Sequence, residues 1–270
     1  VKDFTRGTGA MQGGNQALTV DLTGLRVAIS AGAGGIGRVM ADSFAARGAR
    51  VFVSDIDAEA LADCPHPKMR ADMGETADCE EFVDVAAATL GGLDVLVNNA
   101  GIAGPTARVE DVTPEALDAT LRIDLAAMFH CARRAVPHLR NAGGGSIVNL
   151  SSAAGRFGFP LRSPYAAAKW GVVGFTKSLS IELGPDRIRV NAILPGLVAG
   201  DRIRRVIEAK AQAQGVAFKE KEAELLRDVS LRCYVTQQDI TNMALYLCSP
   251  FGATISGQAL SVDGDQQRLG

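Results

Sequence analysis

The sequence predicts an α/β fold, a single domain in which helices cover both faces of a doubly wound parallel sheet. Three observations carry this expectation. Short apolar runs rich in Val, Ile and Leu recur between stretches of helical period, and that alternation gives parallel strands joined by crossover helices. The first such run opens directly into a glycine-rich turn, SAGAGGIG at residues 30–37, and then into a helix, as the first βαβ unit of such a sheet does. Composition agrees: 47% of the 270 residues are hydrophobic, only 5% are aromatic and 30 are glycine, which suits helices packed closely on a sheet better than an all-β sandwich.

The elements follow in order. Residues 1–20 are polar, glycine-rich and without period, and are expected to form a flexible tail ahead of a domain spanning 21–270. A strand from Leu25 (RVAIS) leads through the glycine turn into a helix ending near Gly48, and a second strand from Arg50 to Ser54 stops at Asp55. A strand near Lys68 to Ala71, a helix from Glu75 to Leu90 and a strand from Leu93 to Val97 repeat the unit. One long helix from about Thr113 to Asn141 comes next, then a strand at Ser146 to Leu150, a helix at Pro164 to Leu183 and a strand at Ile188 to Ile193. After Pro195-Gly196 the pattern changes. Residues Asp201 to Gln214 and Lys219 to Asp228 are highly charged, helical in period and without a strand between them, so 201–229 reads as a small helical insert. Its charges mark either a solvated surface or a lid over a substrate. A helix at Gln237 to Cys248 and a strand at Gln258 to Val262 close the domain.

Charge and cysteine usage exclude several function classes. The 28 basic and 30 acidic residues are interspersed and leave a net charge of −2, so no field favours nucleic acid or an anionic membrane. Cys64, Cys79, Cys131, Cys233 and Cys248 show no CxxC spacing, and an odd number of scattered thiols predicts a reduced, cytoplasmic protein. His66, His130 and His138 form no HExxH or short Cys/His pattern, so no metal site is expected. No apolar run approaches the ~20 residues that cross a bilayer. The expected partners are small molecules and further copies of the chain.

Two motifs carry chemistry. Tyr165 and Lys169 stand four residues apart, on one face of a predicted helix, where an ammonium beside a phenol favours the phenolate and makes a base for a substrate hydroxyl. The glycine turn lets phosphate oxygens approach backbone N–H groups at the positive end of a helix. Two registers fit it: GxGxxG over Gly32 to Gly37, or GxxxGxG with Gly35 and Gly37 in the last two places and Ala31 standing where the first glycine belongs. Asp55 falls at the carboxyl end of the second strand, where an acid hydrogen-bonds adenosine ribose hydroxyls and repels a 2′-phosphate, so NAD is the expected cofactor.

Taken in order, SAGAGGIG at 30–37, Asp55, NNAG at 98–101, SSAAG at 151–155, YAAAK at 165–169 and RVNAILPG at 189–196 resemble the short-chain dehydrogenase/reductase family in its single-domain Rossmann form, over about Asp21 to Gly264. The resemblance implies Tyr165 as general acid/base, Lys169 as the residue that assists it and holds the nicotinamide ribose, and Ser152 as the hydroxyl on the reacting oxygen. It implies cofactor contacts from Ser30, Gly32, Gly35, Ile36 and Gly37 in the turn, from Asp55 and Ile56, and from Asp72 and Met73 near the adenine. Asn99, Ala100 and Gly101 would wall the cofactor, and Pro195, Gly196 and Val198 would cover the nicotinamide. A homotetramer is implied as well.

Three positions depart from the family pattern: Ala31 for the first glycine, Asp124 for the catalytic asparagine of the fourth helix, and Asp263-Gly264-Asp265 for the usual DGG. The leading expectation is an NAD-dependent dehydrogenase of a polar secondary alcohol. Arg156, Arg162, Arg202 and Arg205 are candidates to bind a carboxylate, so a sugar, sugar acid, polyol or hydroxy acid is the expected substrate. The competing readings are an NADPH-dependent 3-oxoacyl reductase, which Asp55 opposes, and a nucleotide-binding module with impaired catalysis, which Asp124 would allow.

Overall fold

A computed structural model describes residues 20–269; the tail expected over residues 1–20 lies outside them except for Val20. Seven parallel strands form one sheet: β1 (Arg26–Ile29), β2 (Arg50–Asp55), β3 (Lys68–Arg70), β4 (Val95–Asn98), β5 (Gly145–Leu150), β6 (Ile188–Pro195) and β7 (Ala259–Val262), in the order β3-β2-β1-β4-β5-β6-β7. The chain winds outward one way from β1 through β2 to β3, then returns to pair β4 on the other side of β1. That reversal opens a crevice at the carboxyl ends of β1 and β4, the place where doubly wound sheets bind ligands.

Strand residues alternate between two cores. Val27, Ile29, Val51, Val53, Val97 and Ile193 face α1 (Gly35–Ala45) and α9 (Gln237–Cys248), packing on Met40, Phe44, Ile240 and Leu245. Ala28, Phe52, Leu96, Ile147 and Val190 face α3 (Thr76–Leu90) and α5 (Ala127–Asn141), against Phe82, Val83, Cys131 and Leu139. Burial on both faces is why these strands read as continuous apolar runs rather than alternating ones.

Two elements differ from expectation. A short helix, α2 (Ala58–Ala62), follows β2 because the Asp57 side chain accepts from the Glu59 and Ala60 backbone N–H groups and caps it. The long helix expected from Thr113 to Asn141 is broken into α4 (Pro114–Leu121), a π turn over Arg122–Ala126, and α5. The break turns Asp124 fully inward, with no exposed surface. The remaining helices are α6 (Ser163–Leu183), α7 (Asp201–Gln214) and α8 (Phe218–Arg227). The last two are the charged insert, and they close on a small core of Leu197, Ile207, Leu225 and Val229. Their charges are not uniformly solvated: Lys210 is 1% exposed and Lys221 is fully buried beside Glu224.

At the amino-terminal edge of the sheet, Asp94 joins β1 to the loop before β4. Its carboxylate accepts from the Arg26 backbone N–H and from Nε and Nη2 of the same residue, at 2.7–2.9 Å. Burial works to raise the Asp94 carboxyl, but the bonds from Arg26 outweigh it and hold it below the ordinary carboxylate range. The stabilisation is therefore complete above the unfolded value near ~4 and is lost as pH falls through the lower folded value. Asp94→Asn is expected to lower the melting temperature at neutral pH, with the deficit narrowing under acid. A deficit that stays constant from pH 7 down to the acid-unfolding region would show that the pair contributes nothing electrostatic.

Candidate active site

The glycine turn leaves β1 with two residues in left-handed backbone, Ala31 at φ 49° and Gly35 at φ 53°. Of the two readings of this turn, the observed strain matches the register beginning at Ala31, which holds a left-handed conformation that costs an L-residue roughly 1–2 kcal/mol. Gly37 has no alternative, since a Cβ there would lie 2.1 Å from the Ala31 carbonyl oxygen. Space in front of the turn is open: a Cβ on Gly34 or Gly35 would meet nothing within 4 Å. The α1 amino terminus, with Gly34 at its cap, has no side-chain cap. Its first N–H groups, those of Gly35, Ile36 and Gly37, have no intrahelical partner, and the positive end of the helix beside open space at Gly34 and Gly35 fits a pyrophosphate. Gly32 lies against β2, where a Cβ would fall 2.7 Å from Val53.

The turn is pinned from two sides. Asp55 at the end of β2 accepts from the Ala33 N–H at 3.1 Å, so its carboxylate borders the turn as well as the space beyond it. Ile56, next along, is exposed. On the other side Asn99 donates through its amide to the Ser30 and Ala31 carbonyls, and the buried Ser30 hydroxyl accepts from the Asn99 and Ala100 N–H groups. The Ser30 and Asn99 side chains are thus occupied in joining the ends of β1 and β4. Asp72 turns the chain after β3, accepting from Gly74 N–H at 2.8 Å, and Met73 is buried beside it. Pro195 ends β6, Gly196 is so close to Asp263 that a Cβ would approach its Cα to 2.7 Å, and Val198 bridges to Val235.

Ser152, Tyr165 and Lys169 come from the end of β5 and the first turns of α6. Ser152 Oγ accepts from the Ala154 N–H at 3.1 Å, which leaves its proton to donate elsewhere. Lys169 is 3% exposed; its Nζ donates to the Leu150 carbonyl at 3.1 Å, lies 3.8 Å from Asp124 Oδ1 and stands 5.6 Å from the centre of the Tyr165 ring. Asp124 Oδ1 also accepts from the Ile102 N–H at 2.8 Å, while Oδ2 is buried with no hydrogen-bond partner. Gly101 passes so close that a Cβ would lie 2.6 Å from Asp124 Oδ1. Asp124 therefore lies against the lysine and the loop that begins at Gly101.

The four candidate arginines separate. Arg156 is drawn to the carboxyl-terminal segment, donating to Ser261 Oγ and the Gln266 carbonyl, with Asp263 at 3.5 Å, and it does not line the cavity that the other three share. Arg162, Arg202 and Arg205 line one cavity of about 450 Å³ between the loop 101–106 and α7. Arg202 reaches across to the Gly101 carbonyl at 3.2 Å. Burial, with Lys221 and Arg162 nearby, pulls Lys210 down to about 8.

Sequence reasoning passed over three features. Ser151 donates to the Lys169 carbonyl at 2.8 Å and locks α6 to β5. A buried ladder runs from Asn98 to Asn149 to Thr176 at 2.8 and 3.0 Å. Its only signal was an asparagine at or next to the end of each apolar strand. The burial of Lys210 and Lys221 had no signal, because each lies in a strongly charged stretch. Among the described residues no group of His, Cys, Asp or Glu is placed to hold a metal, and no helix is long and apolar enough to cross a membrane.

A doubly wound sheet with a serine just after β5 and a tyrosine and a lysine on the first turns of α6 fits a class of hydride-transfer enzymes, and the relatives agree. Residues 31–264 match the family model described as enoyl-(acyl carrier protein) reductase. A probable galactose dehydrogenase of Rhizobium meliloti is 37% identical over 90% of this chain and 95% of its own, and a D-beta-hydroxybutyrate dehydrogenase of Cupriavidus necator is 34% identical over 90% and 98%. Among solved structures, levodione reductase superposes with a TM-score of 0.84 at 28% identity over 90% and 97% of the two chains. An NAD+-bound xylitol dehydrogenase gives 0.85 at 25% over 90% and 98%. The chain belongs to the short-chain dehydrogenase/reductase family. It is an oxidoreductase of CH–OH groups, taking a nicotinamide cofactor and a small-molecule substrate.

Two variants test the site. Tyr165→Phe is expected to lower turnover by at least the ~10²-fold typical of a lost general acid/base while NADH binding persists; near-normal turnover would assign the proton to another group. Asp124→Asn removes a negative charge beside Lys169. Its kcat is expected to stay near the wild-type value. A rise of about a hundredfold at every pH, as large as a missing acid/base, would instead mean that aspartate cripples a proton relay.

Proposed function

We propose that this chain is an NAD-dependent dehydrogenase interconverting a secondary alcohol and a ketone, with a sugar, sugar acid, polyol or hydroxy acid as substrate. The observation that carries the cofactor choice is Asp55. Its carboxylate ends β2 beside the open space before α1, where a ribose hydroxyl would be welcomed and a 2′-phosphate repelled. The nicotinamide ring supplies the hydride acceptor or donor when bound. Tyr165 takes or returns the hydroxyl proton, Ser152 donates to the reacting oxygen, and the Lys169 ammonium favours the charged tyrosine and reaches the ribose.

The 3-oxoacyl reductase reading needs NADPH, as bound to the related actinorhodin polyketide ketoreductase, and Asp55 argues against it. A homotetramer is part of the proposal; half-exposed Phe129 on α5 and Trp170 on α6, with Ile181 79% exposed, supply apolar surface for it.

Steady-state rates with the two cofactors decide the question. NAD is expected to give the higher kcat/KM, and Asp55→Ala to narrow the ratio while weakening both, because the Ala33 bond is lost as well. A wild-type preference for NADP would overturn the reading.

A further inference from the structure

Arg162 stands just ahead of α6, three residues before Tyr165, and is 2% exposed. A guanidinium keeps its charge even when buried. Its environment nevertheless offers little in return. Nη2 donates to the Ala103 carbonyl, whereas Nε and Nη1 have no hydrogen-bond partner, and no ion pair reaches the side chain among the described residues. What surrounds it is aromatic: the guanidinium carbon lies 5.2 Å from the Phe159 ring centre and 5.0 Å from that of Tyr165. Desolvation is the largest influence on the group and acts against its charge, with Tyr165 and Asp124 opposing and Arg202 adding to it. Such a cation is costly unless an anion completes it.

The cavity supplies the place. Arg162 forms part of its wall, with Arg202 and Arg205 on the α7 side and Gly101 and Ile102 on the side of the proposed nicotinamide site. Arg202 and Arg205 are exposed, so they attract an anion from solution but are hydrated without it. Arg162 alone is desolvated and incomplete. One buried guanidinium matches one negative charge, which favours a carboxylate over a doubly charged phosphate.

We infer that Arg162 is the carboxylate-binding residue of the substrate site, and that the substrate is a short hydroxy acid or sugar acid whose carboxylate lies close to the carbinol presented to Tyr165. This rests on the dehydrogenase reading and narrows it, since the hydroxyls of a neutral sugar or polyol could accept from Nε and Nη1 but would leave the buried charge without a counter-charge. Arg162 is then a specificity residue. It anchors one end of a molecule whose other end meets Ser152 and Tyr165, and the same contact orders the carbinol for reaction.

The test is calorimetric titration of the protein, with and without saturating NADH, by lactate, 3-hydroxybutyrate and gluconate, and by the amide of each. At least one acid is expected to bind more tightly than its amide, and Arg162→Met to weaken that acid by about 30-fold or more while its amide changes little. Arg162→Lys should restore part of the loss. The acid-against-amide comparison on the wild type needs no variant, so a misfolded Arg162→Met leaves the inference testable. Equal binding of every acid and its amide, inorganic phosphate binding more tightly than every acid, or an Arg162→Met variant that weakens acid and amide alike would overturn it. The last result would mean that Arg162 serves the tyrosine rather than the substrate. Carboxylate selectivity with no turnover of any alcohol would leave this subsite standing and remove the dehydrogenase reading. Turnover of neutral alcohols with no preference for acids would do the reverse.

Discussion

A buried ammonium organises this molecule. Lys169 has almost no exposed surface, and a cation so placed must be compensated by fixed acceptors or it would unravel the helix that carries it. The Leu150 carbonyl at the end of β5 provides one and Asp124 in the π turn before α5 another. Asp124 in turn holds the Ile102 N–H, at the start of the loop after β4. Through one side chain the central strands, the broken helix and α6 are tied at the carboxyl edge of the sheet. The π turn is the cost of that arrangement: an uninterrupted helix would not present the carboxylate at that level and angle. The break that the long helical period in the sequence conceals is therefore the feature that completes the site.

Most of the fold was legible because parallel strands buried on both faces leave unmistakable apolar runs. The charged helices of the insert were located to within a residue or so by their period alone. What the sequence could not show were the consequences of contact across distance. Asp57 as a cap for α2, and the inward turn of Asp124, depend on local backbone choices that a helical period does not encode. Arg156 and Arg162 illustrate the limit. They flank the same segment and are indistinguishable as letters, yet one is claimed by Ser261 and Gln266 at the far end of the chain and the other is enclosed by aromatic rings. The glycine turn was ambiguous for a similar reason, since backbone handedness at Ala31 and Gly35, not the count of glycines, separates the two registers.

The polar residues inside the sheet serve alignment. Asn98, Asn149 and Thr176 form a satisfied buried chain that runs across β4 and β5 to α6. Ser30 and Asn99 do the same between β1 and β4 at the level of the turn. Buried networks of this kind add little net stability but exclude alternative registers, because a slip would strand every member without a partner. Reacting groups drawn from β5, α6 and the π turn keep their relative positions only if the strands cannot shift.

Charge balance joins the aspartate to the arginine. Lys169 and Arg162 bring two buried positive charges close to the Tyr165 ring, and Asp124 is the buried carboxylate beside the lysine and within electrostatic reach of the arginine. With asparagine at position 124, as the family pattern has it, neither cation would have that carboxylate beside it. Aspartate offsets one of them. On the proposed reading, a substrate carboxylate would offset the charge of Arg162. On this view the departure at Asp124 and the burial of Arg162 are one adaptation. If the proposed reading holds, an aspartate makes a second buried cation tolerable, and that cation would favour acids at the site.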